Sequence, residues 1–310
     1  MTISHCKSEG LIALDWGTTN VRLALLDSNG RIVEERRGPS GVGTFNNQQF
    51  EDHFDKLTRD WPQVPAIAAG MIGSRQGWYE AKYLACPAST SDLVKGLQHF
   101  SHNGRSVTIV PGLTFSDGKR FDVMRGEESQ IAGFLIDKPD FTGTIVMPGT
   151  HSKWVQIDSG TVVDFRTYMT GEVFEALSQH TILRHSLSDL GGKTEHFLTK
   201  VNQLAKSPDS TEGALFGLRA RHLMTDCNTE ELHQELSAQL ILAELRAGQK
   251  DGFQLDEDVI LIGSEGLTSL YKGALEAVGQ EATCIRGTGL VWPALYELAC
   301  KSSLITGTKA

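Results

Sequence analysis

The chain has 310 residues, of which 40% are apolar and 22% charged, enough for buried cores in two domains of ordinary size. Its 29 Lys and Arg against 38 Asp and Glu leave a net charge of -9. That balance excludes the clustered positive charge a nucleic-acid partner requires, but not a small anion held by a few local cations and amides. No apolar run reaches the roughly 20 residues of a membrane helix, and the first ten residues carry no apolar leader core. The five cysteines (Cys6, Cys86, Cys227, Cys284, Cys300) form no C-x-x-C pair. No disulfide framework or zinc site is therefore expected, and a cytoplasmic protein is.

Residues 10–27 read as two extended runs, LIALDW and VRLALLD, broken by a Gly-Thr-Thr-Asn turn. Ser28-Asn29-Gly30 is a hairpin signal and RIVEER a third strand, so the chain opens on an antiparallel meander. Phe50, Phe54, Leu57 and Trp61 fall at helical spacing and predict a helix over 48–61. PAIAAG at 65–70 reads as a buried strand that runs into a Gly-rich loop, Met71-Ile72-Gly73-Ser74-Arg75-Gln76-Gly77-Trp78. Another short strand is predicted at 106–111, and a helix at 125–136. A second strand–turn–strand unit follows: GTIVMPG, the turn Thr150-His151-Ser152-Lys153, then WVQID. Asp158-Ser159-Gly160 turns it into TVVDFRTYM, so the opening meander recurs in outline near residue 145. Residues 170–248 read as mostly helical. VILIG at 259–263 is a buried strand before a helix that Ser264 could cap. Gly287-Thr288-Gly289 opens a last helix to about residue 299, and SSLITGTKA is expected to fray.

The turn Asp15-Trp16-Gly17-Thr18-Thr19-Asn20 sets small and hydroxyl residues directly behind a carboxylate. Glycine lets a backbone approach a phosphate, the amides and Thr hydroxyls can donate to it, and Asp15 could hold a hydrated Mg²⁺. Taken alone, the same residues suit a plain hairpin equally well. A second glycine–hydroxyl turn, Gly149-Thr150-His151-Ser152-Lys153, stands in the corresponding place of the second meander. A third glycine junction, Gly263-Ser264-Glu265-Gly266, opens a helix whose free amides could face a ligand. Three such junctions in this order favour a phosphate cradle, whereas neither G-x-x-x-x-G-K-[ST] nor G-x-G-x-x-G occurs.

LIALDWGTTNVRLALLD resembles the first phosphate motif of the actin/hexokinase/Hsp70 ATPase superfamily. TIVMPGTHSKWV is similar to its second phosphate motif, and VILIGSEGLTSLYKGAL to its adenosine motif. Longer strings resemble one branch, the 2-dehydro-3-deoxygalactonokinases: GMIGSRQGWYEAKYLACPA, FDVMRGEESQIAGFL, MPGTHSKWV and TYMTGEVFEALSQHTIL. The resemblance covers essentially the whole chain. It implies a duplicated ribonuclease-H-like α/β fold, each half a mixed five-stranded sheet flanked by helices, with ATP and a sugar acid between the halves. The expected domains are 1–124 and 125–310, the last helix packing back on the first. The implied activity is ATP- and Mg²⁺-dependent phosphorylation of 2-dehydro-3-deoxy-D-galactonate at its 6-hydroxyl, by a cytosolic protein that could be a homodimer.

By the same resemblance Asp15 would anchor Mg²⁺ through water. Gly17, Thr18, Thr19, Gly149, Thr150, Ser152 and Lys153 would receive phosphates, and Gly263 and Ser264 the adenosine. The superfamily's catalytic aspartate falls on Glu127, a departure that leaves Asp122 and Glu128 as rival bases. Glu127 and Glu128 could equally serve only the helix N-terminus. A bidentate guanidinium suits the substrate carboxylate, and Arg75 in its Gly-rich loop is the candidate, with Gln76 and Trp78 beside it for hydroxyls and a sugar face. Glu172 could bind sugar hydroxyls or cap its helix, and Lys153 could meet a phosphate or be a solvated turn lysine. His151 reads as a turn residue, His180 and His185 as structural, and Trp16, Trp154 and Trp292 as core. Three rivals remain: a kinase of another sugar acid such as 2-keto-3-deoxygluconate, an actin-like nucleotide-dependent assembly protein, and a phosphatase acting on nucleotides or polyphosphate.

Overall fold

In a computed structural model that describes residues 10–38, 42–188, 193–206, 211–255 and 258–306, the opening runs form β1 (Gly10–Trp16), β2 (Val21–Asp27) and β3 (Ile32–Gly38). Leu11, Ile12, Ala13 and Leu14 of β1 are fully buried, as expected of a strand covered on both faces. Helix α1 (Asn47–Thr58) starts on a capping box. The Asn46 side chain accepts from the Gln49 amide at 3.1 Å, and the Gln49 side chain accepts from the Asn46 amide at 2.8 Å. Its Phe50 and Phe54 fill the core beside Trp16, Trp61 and Trp78.

β4 (Ala66–Ala69) is a strand of small buried residues. After it come β5 (Tyr83–Ala85), β6 (Ala88–Ser89), α2 (Thr90–Gly96), β7 (Gln98–His102), β8 (Arg105–Ile109), β9 (Gly112–Ser116) and β10 (Phe121–Met124). Helix α3 (Glu127–Asp137) leads to the second meander, β11 (Gly143–Met147), β12 (Ser152–Asp158) and β13 (Thr161–Tyr168). Four helices follow, α4 (Thr170–His180), α5 (Thr194–Leu204), α6 (Thr211–Met224) and α7 (Thr229–Lys250). The chain continues through β14 (Val259–Gly263), α8 (Glu265–Ala277), β15 (Thr283–Arg286) and α9 (Val291–Lys301).

The first large sheet has the order β3-β2-β1-β4-β8-β7, with β1 antiparallel to β2 and parallel to β4. The second has the order β15-β14-β11-β12-β13-β6, with β11 antiparallel to β12 and parallel to β14. Both sheets therefore place the third, second, first, fourth and fifth strands of one motif side by side, which is the repeat the meanders predict. Each has six strands rather than five, because β7 and β6 extend their edges. A smaller sheet, β10-β9-β5, joins residues the sequence left as loop.

The chain divides into two compact units, Met1–Phe141 with Asp158–Asp164 and Gly287–Ala310, and Thr142–Ile157 with Phe165–Arg286. The expected boundary at 124/125 thus falls inside the first unit. Helix α3 stays there because α9 lies along it, so closely that a Cβ on Gly133 would stand 2.1 Å from the Leu290 carbonyl oxygen. The second unit has its own cores, one around Trp154, Leu245 and Leu261 and one around Leu232 and Leu236. Cys86, Cys227, Cys284 and Cys300 are in no disulfide, and Cys6 lies outside the described residues. Of the tail expected to fray, Ile305 is buried and 307–310 lie outside the described residues. Among the described residues no helix is long and apolar enough to cross a membrane.

Candidate nucleotide and sugar-acid site

In the first unit, Asp15, next to last in β1, is the register partner of Arg22 on β2. The Arg22 guanidinium donates to one Asp15 carboxylate oxygen through Nε at 3.2 Å and through Nη2. It also lies over the Trp292 ring, 5.4 Å from the centroid, while the indole N–H of Trp292 donates to Glu35. Arg22 was missed in the sequence, although it is the lone cation inside the run VRLALLD. The turn itself closes through the Gly17 amide on the Asn20 carbonyl at 2.9 Å, and Thr18 and Thr19 are exposed. A Cβ on Gly17 would meet only the Asn20 oxygen at 3.7 Å, so packing does not demand glycine there. Space is left for a ligand to approach the backbone.

Two further glycines bring the start of α3 to this turn. Gly70, just after β4, has φ +93°, and a Cβ there would stand 2.8 Å from the Trp16 carbonyl oxygen. Gly126, with φ +112°, would put a Cβ 3.5 Å from the Gly70 Cα. Behind it both acids fold back onto backbone amides at the helix start. Glu127 accepts from the Arg125 amide at 3.1 Å, and Glu128 from the Gly126 amide at 2.6 Å. The two acids differ in exposure: Glu127 is half-buried and Glu128 fully buried. Burial, then the neighbouring Glu127 charge, push the Glu128 carboxyl up to about 8. Asp122, the third candidate, sits on β10, where its carboxylate accepts from the Val123 amide at 2.8 Å. Arg125 is buried against the Met71–Trp78 loop, donating to the Ala81 carbonyl at 2.7 Å and lying 4.3 Å over Tyr83.

That loop divides its candidates. A Cβ on Gly77 would collide with the Ile72 carbonyl at 2.0 Å, so the loop folds tightly on itself. Arg75 and Gln76 project into solvent, with Arg75 Nε 3.7 Å from Glu80. Trp78 does not offer a sugar face: it is buried against Phe54, Phe100 and His102 at 5.0–5.2 Å between ring centroids. Its place in SRQGW gave no sign of this, because Phe54, Phe100 and His102 are brought to it only by the fold.

In the second unit, Gly149 and Thr150 are accessible at the turn between β11 and β12, and nothing lies within 4 Å of a Cβ placed on Gly149. Ser152, expected to face phosphate, is instead wholly buried, with its hydroxyl 3.0 Å from the Tyr271 hydroxyl and 3.4 Å from the Gly149 amide. Lys153 is not a solvated turn lysine: its stem is buried and its ammonium reaches the His151 carbonyl at 3.1 Å. Glu172 is bound to the turn itself. Its amide donates to the Thr150 carbonyl at 3.1 Å, and its carboxylate meets His151 Nε2 at 2.5 Å. Gly171 must be glycine, since a Cβ would stand 2.5 Å from the Gly149 carbonyl oxygen.

Beside this turn opens a largely apolar pocket of about 230 Å³, lined by Gly149, Thr170, Gly171, Leu240, Leu267 and Tyr271 among others. Gly263 adjoins it through Pro148, whose carbonyl oxygen would lie 3.6 Å from a Gly263 Cβ. Ser264 occupies the N-cap position of α8, but its side chain makes no capping bond and stands exposed at the free helix start. The pocket residues on α7 were not found in the sequence. Of them Leu240 shares a buried stripe at four-residue spacing with Leu236, Glu244 and Gly248, in which Glu244 is the acid.

Two sheets of this order, each beginning with a meander around a glycine turn, define an α/β protein of the duplicated ribonuclease-H-like, actin/hexokinase type. A 2-hydroxyisocaproyl-CoA dehydratase activator from Clostridium difficile, solved with bound ADPNP, shares the fold at a TM-score of 0.51 and 14% identity, over 97% of this chain and 100% of its own. The family model for 2-keto-3-deoxy-galactonokinase matches residues 15–298. The 2-dehydro-3-deoxygalactonokinase of Escherichia coli (strain K12) is 34% identical over 278 residues, 89% of this chain and 92% of that protein. A Rhizobium meliloti (strain 1021) protein named a probable 2-dehydro-3-deoxygalactonokinase is 34% identical over 274 residues, 86% of this chain and 89% of its own. The crystal structure of a Sinorhizobium meliloti protein, named as a candidate 2-dehydro-3-deoxygalactonokinase, superposes at a TM-score of 0.85 with 32% identity, covering 94% of this chain and 98% of the other. The chain belongs to the 2-keto-3-deoxy-galactonokinase family.

Proposed function

We propose that this chain is a cytoplasmic ATP-dependent kinase that phosphorylates 2-dehydro-3-deoxy-D-galactonate at its 6-hydroxyl, a step of D-galactonate catabolism. The observation that carries the reading is the family match over 15–298, which takes in both glycine turns and the sugar-acid loop. In-line phosphoryl transfer asks a protein mainly to hold the acceptor and to neutralise charge on the transferring group. The open backbone at Gly17 and Gly149, with the Thr18, Thr19 and Thr150 hydroxyls, supplies donors for phosphates. The apolar pocket beside Gly149, close to Gly263 and Ser264, suits an adenosine.

Magnesium bound with ATP would neutralise phosphate charge, and Asp15 is the side chain that would hold it through water. The donor set fits: a hard carboxylate stands at the turn, and no group of three or more His, Cys, Asp or Glu is built among the described residues. An ion that keeps most of its waters and takes its other ligands from phosphates needs no more than this. Arg22 holds the Asp15 carboxylate in place until then. Arg75 and Gln76, exposed on a tightly folded loop, would receive the substrate carboxylate and hydroxyls.

Glu127 is the better base of the two helix-start acids. Glu128, held up to about 8, keeps its proton at neutral pH and cannot accept another. Coupled ADP release across a panel of sugar acids tests the proposal. ADP should form with 2-dehydro-3-deoxygalactonate and much less with its 3-deoxygluconate epimer. Preference for the epimer would reassign the substrate, and no acceptor-dependent ADP would remove the kinase reading.

A further inference from the structure

Glu244 of α7 is 3% exposed in the core of the second unit and belongs to none of the motifs. Both of its oxygens are occupied. The Trp154 indole N–H donates to Oε1 at 2.8 Å and the Tyr271 hydroxyl to Oε2 at 2.7 Å. Burial pushes the Glu244 carboxyl up, and the neutral donors around it, from Thr170, Trp154 and Tyr271, oppose that rise. Enclosing a carboxylate this way is unfavourable by several kcal/mol unless its acceptor capacity is used, and the flanking Leu242 and Leu245 show that the core itself is apolar.

The hydrogen-bond polarity follows from the acid. As a carboxylate Glu244 only accepts, so Tyr271 gives its single proton to Glu244 and its oxygen can take the Ser152 proton, 3.0 Å away. The Ser152 oxygen then keeps a lone pair for the Gly149 amide at 3.4 Å. Tyr271, Thr170 and Gly149 also line the pocket beside the turn, and Gly171 packs on the Gly149 carbonyl and the Thr150 Cα. One buried acid thus orients the pocket's polar wall and the inner side of the phosphate turn together.

We propose that Glu244 is a positioning residue for nucleotide: through Tyr271, Ser152 and Thr170 it holds the Gly149–Lys153 turn in the shape that receives the ATP phosphates and links that shape to occupancy of the neighbouring pocket. The inference rests on the kinase reading above. Glutamine at 244 keeps the volume but sets an NH₂ against a donor, which scrambles the chain. Tyr271→Phe and Ser152→Ala each cut it at one link without enlarging the core.

The test is MgATP binding to the full chain, followed by the emission of Trp154 against a Trp154→Phe control, together with the two Michaelis constants. Glu244→Gln is expected to raise the Kd and KM for ATP about tenfold, the equivalent of one lost hydrogen bond, and to leave the sugar-acid KM within about twofold. Tyr271→Phe and Ser152→Ala should move the same constants in the same direction, and adding Tyr271→Phe to Glu244→Gln should add little. If Glu244→Gln does not fold, the other two variants decide. Folded Tyr271→Phe and Ser152→Ala proteins that bind ATP as the unaltered chain does, or that raise both KM values equally, overturn the positioning role. An unaltered chain that binds no ATP contradicts the kinase reading instead.

Discussion

The two glycine turns occupy equivalent places in two copies of one meander, but they are held by opposite means. The first is fastened by a partly exposed charge pair, Asp15 with Arg22, and its hydroxyl residues stand in water. The second is fastened from below by a dry network, with Ser152 and Lys153 buried and Glu172 and His151 clasped across its rim. Duplication preserved the backbone path and let the side chains diverge. On the proposed function, an acid that is to meet a cation cannot be locked in the core. On the same proposal, a turn that presents amides to phosphate can be built rigidly.

Asp15→Asn should give the largest effect. Turnover is expected to fall on the order of 10²–10⁴-fold, the scale of losing a metal-anchoring charge, with the melting temperature nearly unchanged because the Arg22 pair is partly exposed. Normal turnover in the folded variant would remove the metal role. Gly171→Ala should instead strike stability. Its Cβ has no room at 2.5 Å from the Gly149 oxygen, and overpacking of this kind is unfavourable by about 1–3 kcal/mol. Gly17→Ala, with 3.7 Å to its nearest atom, should stay within about 0.5 kcal/mol in stability while raising the KM for ATP. Equal denaturation midpoints for the two alanine variants would erase the contrast between a built turn and an open one.

Smaller effects sharpen the assignments around the first turn. Arg75→Ala should raise the sugar-acid KM about tenfold, as for one lost charge-assisted bond, and leave the melting temperature alone. A rise in the ATP KM would move the loop to the nucleotide. Glu128→Gln should change the pH dependence of stability. Below about 4.5 the acid is protonated in both states. Between 4.5 and about 8 the unfolded chain loses the proton while the folded chain keeps it, so stability falls as pH rises and levels off above 8. The Gln variant should flatten that slope in denaturant titrations, and an unchanged slope would show that Glu128 titrates normally.

Both meanders were legible because their strands are continuous apolar runs punctuated by Asn29-Gly30 and Ser159-Gly160, the kind of turn chemistry that survives any context. The β5, β7, β9 and β10 strands were not, since QHFSH and FDVM mix polar and apolar residues on short edges that only neighbours define. At the candidate site, Asp15 and the glycines were picked out in the sequence because small residues in a local turn behind an acid suit a phosphate. Arg22 and Glu244 were not, because each meets its partner only through the fold: a register pair across two strands in one case, a helix 90 residues from Trp154 in the other. Trp78 failed for the same reason, its side chain being claimed by a core formed from α1 and β7.

The central claim is acceptor-dependent transfer of a phosphoryl group to a sugar acid, and product analysis tests it most directly. ATP and 2-dehydro-3-deoxy-D-galactonate incubated with the full chain should yield one ADP per molecule of a single phosphorylated product. Phosphorus NMR should show that phosphate on the 6-position, with no phosphate released when the acceptor is left out. Free phosphate without acceptor, or a nucleotide that turns over with no phosphorylated sugar acid, would contradict the account.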